Sequence, residues 1–334
     1  MFDFYSDLTG VKISVVGHVM VIHNQLIDMR MPNWINEVGA ECEGLWLGRN
    51  LKLRNGQSLQ AIYNDFVNAC QRKSRNWGNC EQEFDTLAGS DDDFIRAAVA
   101  LNGRYAENLS NDEQCYVRLN VINSLINDKA RGVERDDSFI HYMIGDPAML
   151  VREALARYGN EEQLEVLIND AENGVRLAVA KHSKAKHLEQ LMDDESYQVR
   201  KWIAQHGSIA QAQSLASDSD EHVRKAVANR AAELDPIILD ALVTDSATDV
   251  RQALAEFAPT EIAAKLVSDK NTTVRVLLAR RGIALETLKS DAHENVRVEV
   301  ARLGYALGEL VFDVDAEVRG SAIAYPAVFL QSHD

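Results

Sequence analysis

Residues 170–182 read Asp-Ala-Glu-Asn-Gly-Val-Arg-Leu-Ala-Val-Ala-Lys-His, and the heart of this stretch, Asp-x-x-x-x-Val-Arg, recurs along the chain. It occurs nine times: Asp112/Val117/Arg118, Asp146/Val151/Arg152, Asp170/Val175/Arg176, Asp194/Val199/Arg200, Asp218/Val223/Arg224, Asp245/Val250/Arg251, Asp269/Val274/Arg275, Asp291/Val296/Arg297 and Asp313/Val318/Arg319. A degenerate copy sits at Ile95/Arg96. With each residue type at roughly one position in twenty, only about one such triplet per twenty-four chains of this length arises by chance. From Val151 to Val318 the intervals are 24, 24, 24, 27, 24, 22 and 22 residues. A fixed period in that range is the signature of a stacked repeat array.

Each repeat reads as two short helices. In residues 170–193, Val175, Ala178 and Val179 share one helical face, and after a polar break at 182–184 a second apolar turn follows at Leu188, Leu191 and Met192. Alanine recurs four residues after the arginine, at Ala156, Ala180, Ala204, Ala228, Ala255, Ala279 and Ala301. A small residue at a fixed place lets neighbouring short helices approach closely. One such unit cannot bury its own apolar face, so stability comes from stacking. The 34-residue gap between Val117 and Val151 holds an insertion, residues 127–137, expected as an irregular turn or a protruding loop.

The first part of the chain is different. Val11–Val16 and Val19–Ile22 are rich in β-branched residues and flank Gly17-His18, which predicts a short hairpin. Leu45 and Leu47 alternate before the turn signal Asn55-Gly56, and Ser58 heads a predicted helix reaching about Arg72. The expected organisation is an N-terminal α+β or irregular module over 1–80, followed by helical repeats over 81–334.

Composition narrows the function. The chain has 334 residues and a net charge of −16. Residues 1–90 contribute −2 and residues 91–334 contribute −14, so the array is the acidic part, which disfavours generic nucleic-acid binding through it. No apolar run is long enough to span a membrane. Met1-Phe2-Asp3-Phe4 has neither a basic nor an apolar signal region, so cytoplasmic residence is expected. Cys42, Cys70, Cys80 and Cys115 fit no C-x-x-C pattern and are expected as small buried hydrophobes. There is no P-loop, G-x-G-x-x-G, H-E-x-x-H or G-x-S-x-G, so nothing speaks for an enzyme, and no cofactor or metal is expected.

Asp followed six residues later by Arg, with Val just before it and Ala four after, resembles the HEAT-repeat signature. The period near 24 and the string Val-Arg-x-x-Val-Ala are more similar to the leucine-rich repeat variant and to the lyase-type HEAT-like repeats. The resemblance covers roughly residues 90–330. It implies a mainly α chain, a right-handed α-solenoid of short helical repeats, and no particular function. The founding variant-repeat type carries an iron–sulfur cluster on clustered N-terminal cysteines, whereas the four here are dispersed.

Three features could carry function. The Asp/Arg ladder is regular in every copy, which marks it as frame: each Asp is expected to cap a helix, and each Arg to pair with the Asp of its own or the adjacent repeat. A second column, six and seven residues after each Val, varies. It holds Arg157-Tyr158, Lys181-His182, Gln205-His206, Asn229-Arg230, Glu256-Phe257, Arg280-Arg281 and Arg302-Leu303. Its basic and aromatic bias suits either helix C-termini or a stripe that meets acidic partners. The third feature is the segment from Trp46 to Trp77, where Arg49, Lys52, Arg54, Arg72, Lys73 and Arg75 interleave with aromatic residues. The expected function is a non-catalytic scaffold that binds a macromolecule, a protein first. A nucleic-acid role, by direct engagement or as an acidic decoy, is the second reading. A HEAT-like lyase or glycosylase is the third.

Overall fold

The computed structural model describes residues 2–5, 12–16, 19–22, 25–28, 81–183 and 185–324. The predicted hairpin is there as part of a four-stranded antiparallel meander, β1 (Phe2–Tyr5), β2 (Lys12–Val16), β3 (Val19–Ile22) and β4 (Gln25–Asp28). Val16 faces Val19 across the two-residue Gly17-His18 connection, and Ile13 faces Ile22. The readings around Leu45 and Leu47 and at Ser58–Arg72 lie outside the described residues.

Contacts divide the chain into two compact units, Met1–His182 and Ser183–Asp334. The first holds the sheet and helices α1 (Glu81–Ala88), α2 (Asp93–Leu101), α3 (Ala106–Leu109), α4 (Cys115–Ala130), α5 (Met149–Tyr158), α6 (Glu161–Leu167) and α7 (Asn173–His182). The sheet packs on α2, where Val19 and the run Ala97–Ala100 are fully buried. Successive first helices then stack, α2 on α4, α4 on α5 and α5 on α7.

The second unit repeats this plan. Its helices are α8 (Ala185–Gln190), α9 (Tyr197–His206), α10 (Ile209–Ser214), α11 (Glu221–Ala228), α12 (Pro236–Val243), α13 (Thr248–Phe257), α14 (Thr260–Ala263), α15 (Thr272–Arg280), α16 (Leu285–Leu288), α17 (Glu294–Arg302), α18 (Leu307–Leu310) and α19 (Ala316–Ala324). First helices α9, α11, α13, α15, α17 and α19 stack in order. The fold is an α-solenoid of two-helix repeats. Val151, Val175, Val199, Val223, Val250, Val274, Val296 and Val318 are all fully buried, and the seven alanines are at most 1% exposed. The valine fills the core and the alanine sets the closeness of stacking.

The insertion takes a form that the sequence did not predict. α4 runs 16 residues and absorbs positions 127–130, and Ser138–Gly145 then forms a 3-10 helix. Cys115 is also a correction, since it stands exposed at the first position of α4. A helix N-terminus leaves its first turn to solvent unless a neighbouring element covers it.

Candidate functional site

The ladder is built differently from the expected cap. Each aspartate stands two residues before the N-cap and closes a tight turn. Oδ1 of Asp146, Asp218, Asp245 and Asp269 each accepts the backbone N–H two residues on, at 2.8 Å. The cap position behind it varies. Asp92, Asp220, Asn271 and Asp315 accept N–H groups of the first turn, whereas Ala148 and Ala247 offer none.

The arginine reaches forward by one repeat and back within its own. Arg224 donates through Nε and Nη2 to the Asp245 carboxylate at 2.6 and 2.9 Å, and through Nη1 to the Asp218 carbonyl at 2.8 Å. The pairs joined by such forks include Arg96–Asp112, Arg118–Asp146, Arg152–Asp170, Arg200–Asp218, Arg224–Asp245, Arg251–Asp269, Arg275–Asp291 and Arg297–Asp313. Burial alone would raise the carboxyls of Asp170, Asp218, Asp245, Asp269 and Asp291. The arginine fork and the backbone N–H outweigh it and hold them below the usual range. In these eight pairs the two charges are therefore satisfied by each other within the array.

The varying column splits in two. Part of its basic character is consumed by the array. Arg230 donates to the carbonyls of Ala204 and Gly207 at 3.2 and 2.8 Å, where α9 ends. Arg281 does the same at Ala255 and Ala258, both at 2.7 Å, where α13 ends. These two arginines close the C-terminal carbonyls of the preceding first helix. Tyr158 donates its hydroxyl to Asp137 at 2.6 Å, under the Lys129 ammonium 5.0 Å from its ring. Arg280 and Arg302 converge on one oxygen, Glu299 Oε1, at 3.1 and 3.0 Å.

The rest of the column is open. Arg157, Lys181 and His182 are exposed in the first unit, and burial together with the Arg157 and Lys181 charges lowers the His182 pKa, so these three lie within electrostatic reach of each other. In the second unit His206 stacks on half-buried Trp202 at 4.7 Å, and Phe257 and Leu303 stand exposed. The basic segment from Trp46 to Trp77 (Trp46, Arg49, Lys52, Arg54, Arg72, Lys73, Arg75, Trp77) lies outside the described residues.

Beside this column the insertion opens a cleft of about 480 Å³ in the first unit. Lys129, Asp137, His141, Tyr158, Glu162 and Val166 are among its walls. It lies where the 3-10 helix stands across from the end of α5 and the start of α6. Its volume falls in the range of small-ligand and side-chain pockets.

A solved leucine-rich repeat variant with a novel repetitive structural motif is similar to this chain, with a TM-score of 0.51 and 26% identity over 67% of this chain and 86% of that one. The array folds as a leucine-rich repeat variant. A crystal structure of the YibA protein of Escherichia coli is also found, at TM-score 0.26 and 16% identity over 82% of this chain and 98% of that one. No family model and no curated protein matches the sequence. No helix among the described residues is long and apolar enough to cross a membrane.

In the variant-repeat array, sequence reasoning named the column but missed what binds it. Glu299 sits three residues after Val296, at a place where other repeats carry Ala154, Ala178, Ala226 or Ala253. A carboxylate among alanines was the available signal for the Arg280 and Arg302 bonds. Asp137 and Lys129 belong to the insertion and have no counterpart elsewhere, so no periodic signal pointed to them.

Proposed function

We propose that this chain is a non-catalytic repeat scaffold that holds a protein partner along the ends of its first helices, with residues 1–80 adding specificity. The observation that carries the reading is a contrast. The paired arginines and aspartates of the ladder are satisfied by each other, while the C-terminal end of each first helix differs from repeat to repeat and exposes Arg157, Lys181, His182, His206 on Trp202, Phe257 and Leu303. Repeat arrays bind through such variable side chains on a constant frame. A mixture of cations, an aromatic pair and apolar side chains suits a protein surface with acidic and apolar spots. Four arginines of the column, Arg230, Arg280, Arg281 and Arg302, are already bonded to the array, which leaves little charge for a phosphate backbone.

The test is affinity capture with the full chain and with a variant carrying Arg157→Glu, Lys181→Glu and Phe257→Ser. A partner lost by the variant at unchanged melting temperature supports the reading. An identical partner set sinks it. A nucleic-acid partner is the second reading, favoured by the free Arg157 and Lys181 pair. It requires retention on immobilised DNA that falls steeply between about 50 and 200 mM salt.

A further inference from the structure

Four repeats carry a cation six residues after the valine: Arg157, Lys181, Arg280 and Arg302. The last two are neutralised within the array, because Glu299, three residues after Val296, takes both. In the repeats of Arg157 and Lys181 that place is held by Ala154 and Ala178, which offer no charge. Both cations are exposed, and among the described residues no carboxylate pairs with either. Helices α5 and α7 stack on each other, so the two charges stand on adjoining helix ends. Burial, then the Arg157 and Lys181 charges, lower the His182 pKa, which puts all three within reach of one another. Lys129 joins them from the end of α4, with its ammonium 5.0 Å from the Tyr158 ring and donating to the Tyr158 carbonyl at 3.4 Å. Tyr158 is at the same time a wall of the cleft, whose apolar side is Ile140, Ile144 and the 55% exposed Val166.

We infer that this cationic spot and the cleft together take a short acidic segment of a partner protein, with carboxylates on Lys129, Arg157 and Lys181 and one leucine-sized side chain between Tyr158 and Val166. The inference rests on the scaffold reading and names the chemistry of the partner. Charge complementarity carries it. Residues 91–334 have a net charge of −14, so an acidic segment is repelled along most of the array and attracted here. Exposed ion pairs are individually weak, so several must meet one segment, and an apolar anchor adds what they lack. The cleft of about 480 Å³ has room for that anchor. A nucleic acid fits less well. Its evenly spaced phosphates run on past the three cations, onto Glu162 in the cleft wall and onto Asp136 and Asp137 of the insertion.

The probe is the acetylated peptide Glu-Glu-Leu-Glu-Glu, titrated into the full chain and followed by NMR on the Cε1 proton of His182. A saturable shift is expected, absent with Gln-Gln-Leu-Gln-Gln. Binding is expected to weaken roughly tenfold on the double change Arg157→Gln, Lys181→Gln. Lys270→Gln, which removes the same kind of charge from an exposed site elsewhere, is expected to leave it unchanged. Val166→Ser is expected to weaken the leucine peptide and to spare Glu-Glu-Ser-Glu-Glu, which tests the anchor by a second, exposed position. No saturable shift, equal binding by the double variant, an equal loss with Lys270→Gln, or indifference to Val166→Ser overturns the proposal. So does a ten-nucleotide single-stranded DNA that moves the His182 signal at lower concentration than the peptide, which makes nucleic acid the occupant. If the peptide fails while the Arg157→Glu, Lys181→Glu, Phe257→Ser variant still loses its captured partner, this inference falls and the scaffold reading stands.

Discussion

Arg251 and Asp269 meet through two bonds of 2.6 and 3.2 Å, and both side chains are only 5% exposed. They belong to successive repeats, since Arg251 lies on α13 and Asp269 precedes α15. The pair joins two repeats where water cannot replace either partner, and Arg251 also holds the Asp245 and Ser246 carbonyls at 2.7 and 3.2 Å.

Removing one partner of that pair strands a buried charge. Arg251→Met is expected to destabilise the chain by about 3 kcal/mol. Lys225–Asp249, a 2.7 Å pair with both side chains in solvent, gives the contrast. Lys225→Met should cost under about 1 kcal/mol. Urea unfolding followed by circular dichroism measures both, and equal losses would contradict the reading of the ladder as frame.

Acid acts on the same frame. The carboxyls of Asp218, Asp245 and Asp269 lie below their ordinary pKa in the folded chain, so their contribution is complete above the unfolded value of about 4 and is lost as pH falls through the folded values. The urea midpoint should therefore hold nearly constant from pH 7 to about pH 5 and fall below about pH 4. A midpoint that rises on acidification would contradict the shifts.

Stacking distance depends on the alanine column. Ala255 is fully buried between first helices, so Ala255→Leu is expected to cost about 1–3 kcal/mol through overpacking. Ile323→Ala, at the same repeat position but exposed, should stay within about 0.5 kcal/mol. Paired thermal melts of the two variants distinguish position in the stack from position in the repeat.

Caps differ between repeats and can be exchanged. Asn271 accepts the N–H groups of Thr273 and Val274 at 2.8 and 3.3 Å, and Asn271→Ala should lose about 1 kcal/mol. Ala148 holds the same place before α5 with nothing to offer, so Ala148→Asp should gain a similar amount. An unchanged melting temperature for Ala148→Asp would show that the turn closed by Asp146 already satisfies that end.

Much of the frame was legible before any coordinate. The antiparallel pairing of β2 with β3 and the two-helix repeat both follow from local periodicity, which is a property of neighbours in the chain. Arg230 and Arg281 show where legibility stops. Their basic character suited a ligand as well as a helix end. Only the placement of Ala204 and Ala255 carbonyls, 26 residues earlier in each case, decided it.

The sequence by itself determined the repeat, its period and its buried column, because a side chain's place on a helix depends on spacing alone. The tertiary structure decided which Asp each Arg grips and which cations of the column the array itself holds. Those outcomes rest on contacts between residues 16 to 28 positions apart. Such contacts depend on how one repeat settles on the next, and no local pattern encodes that distance.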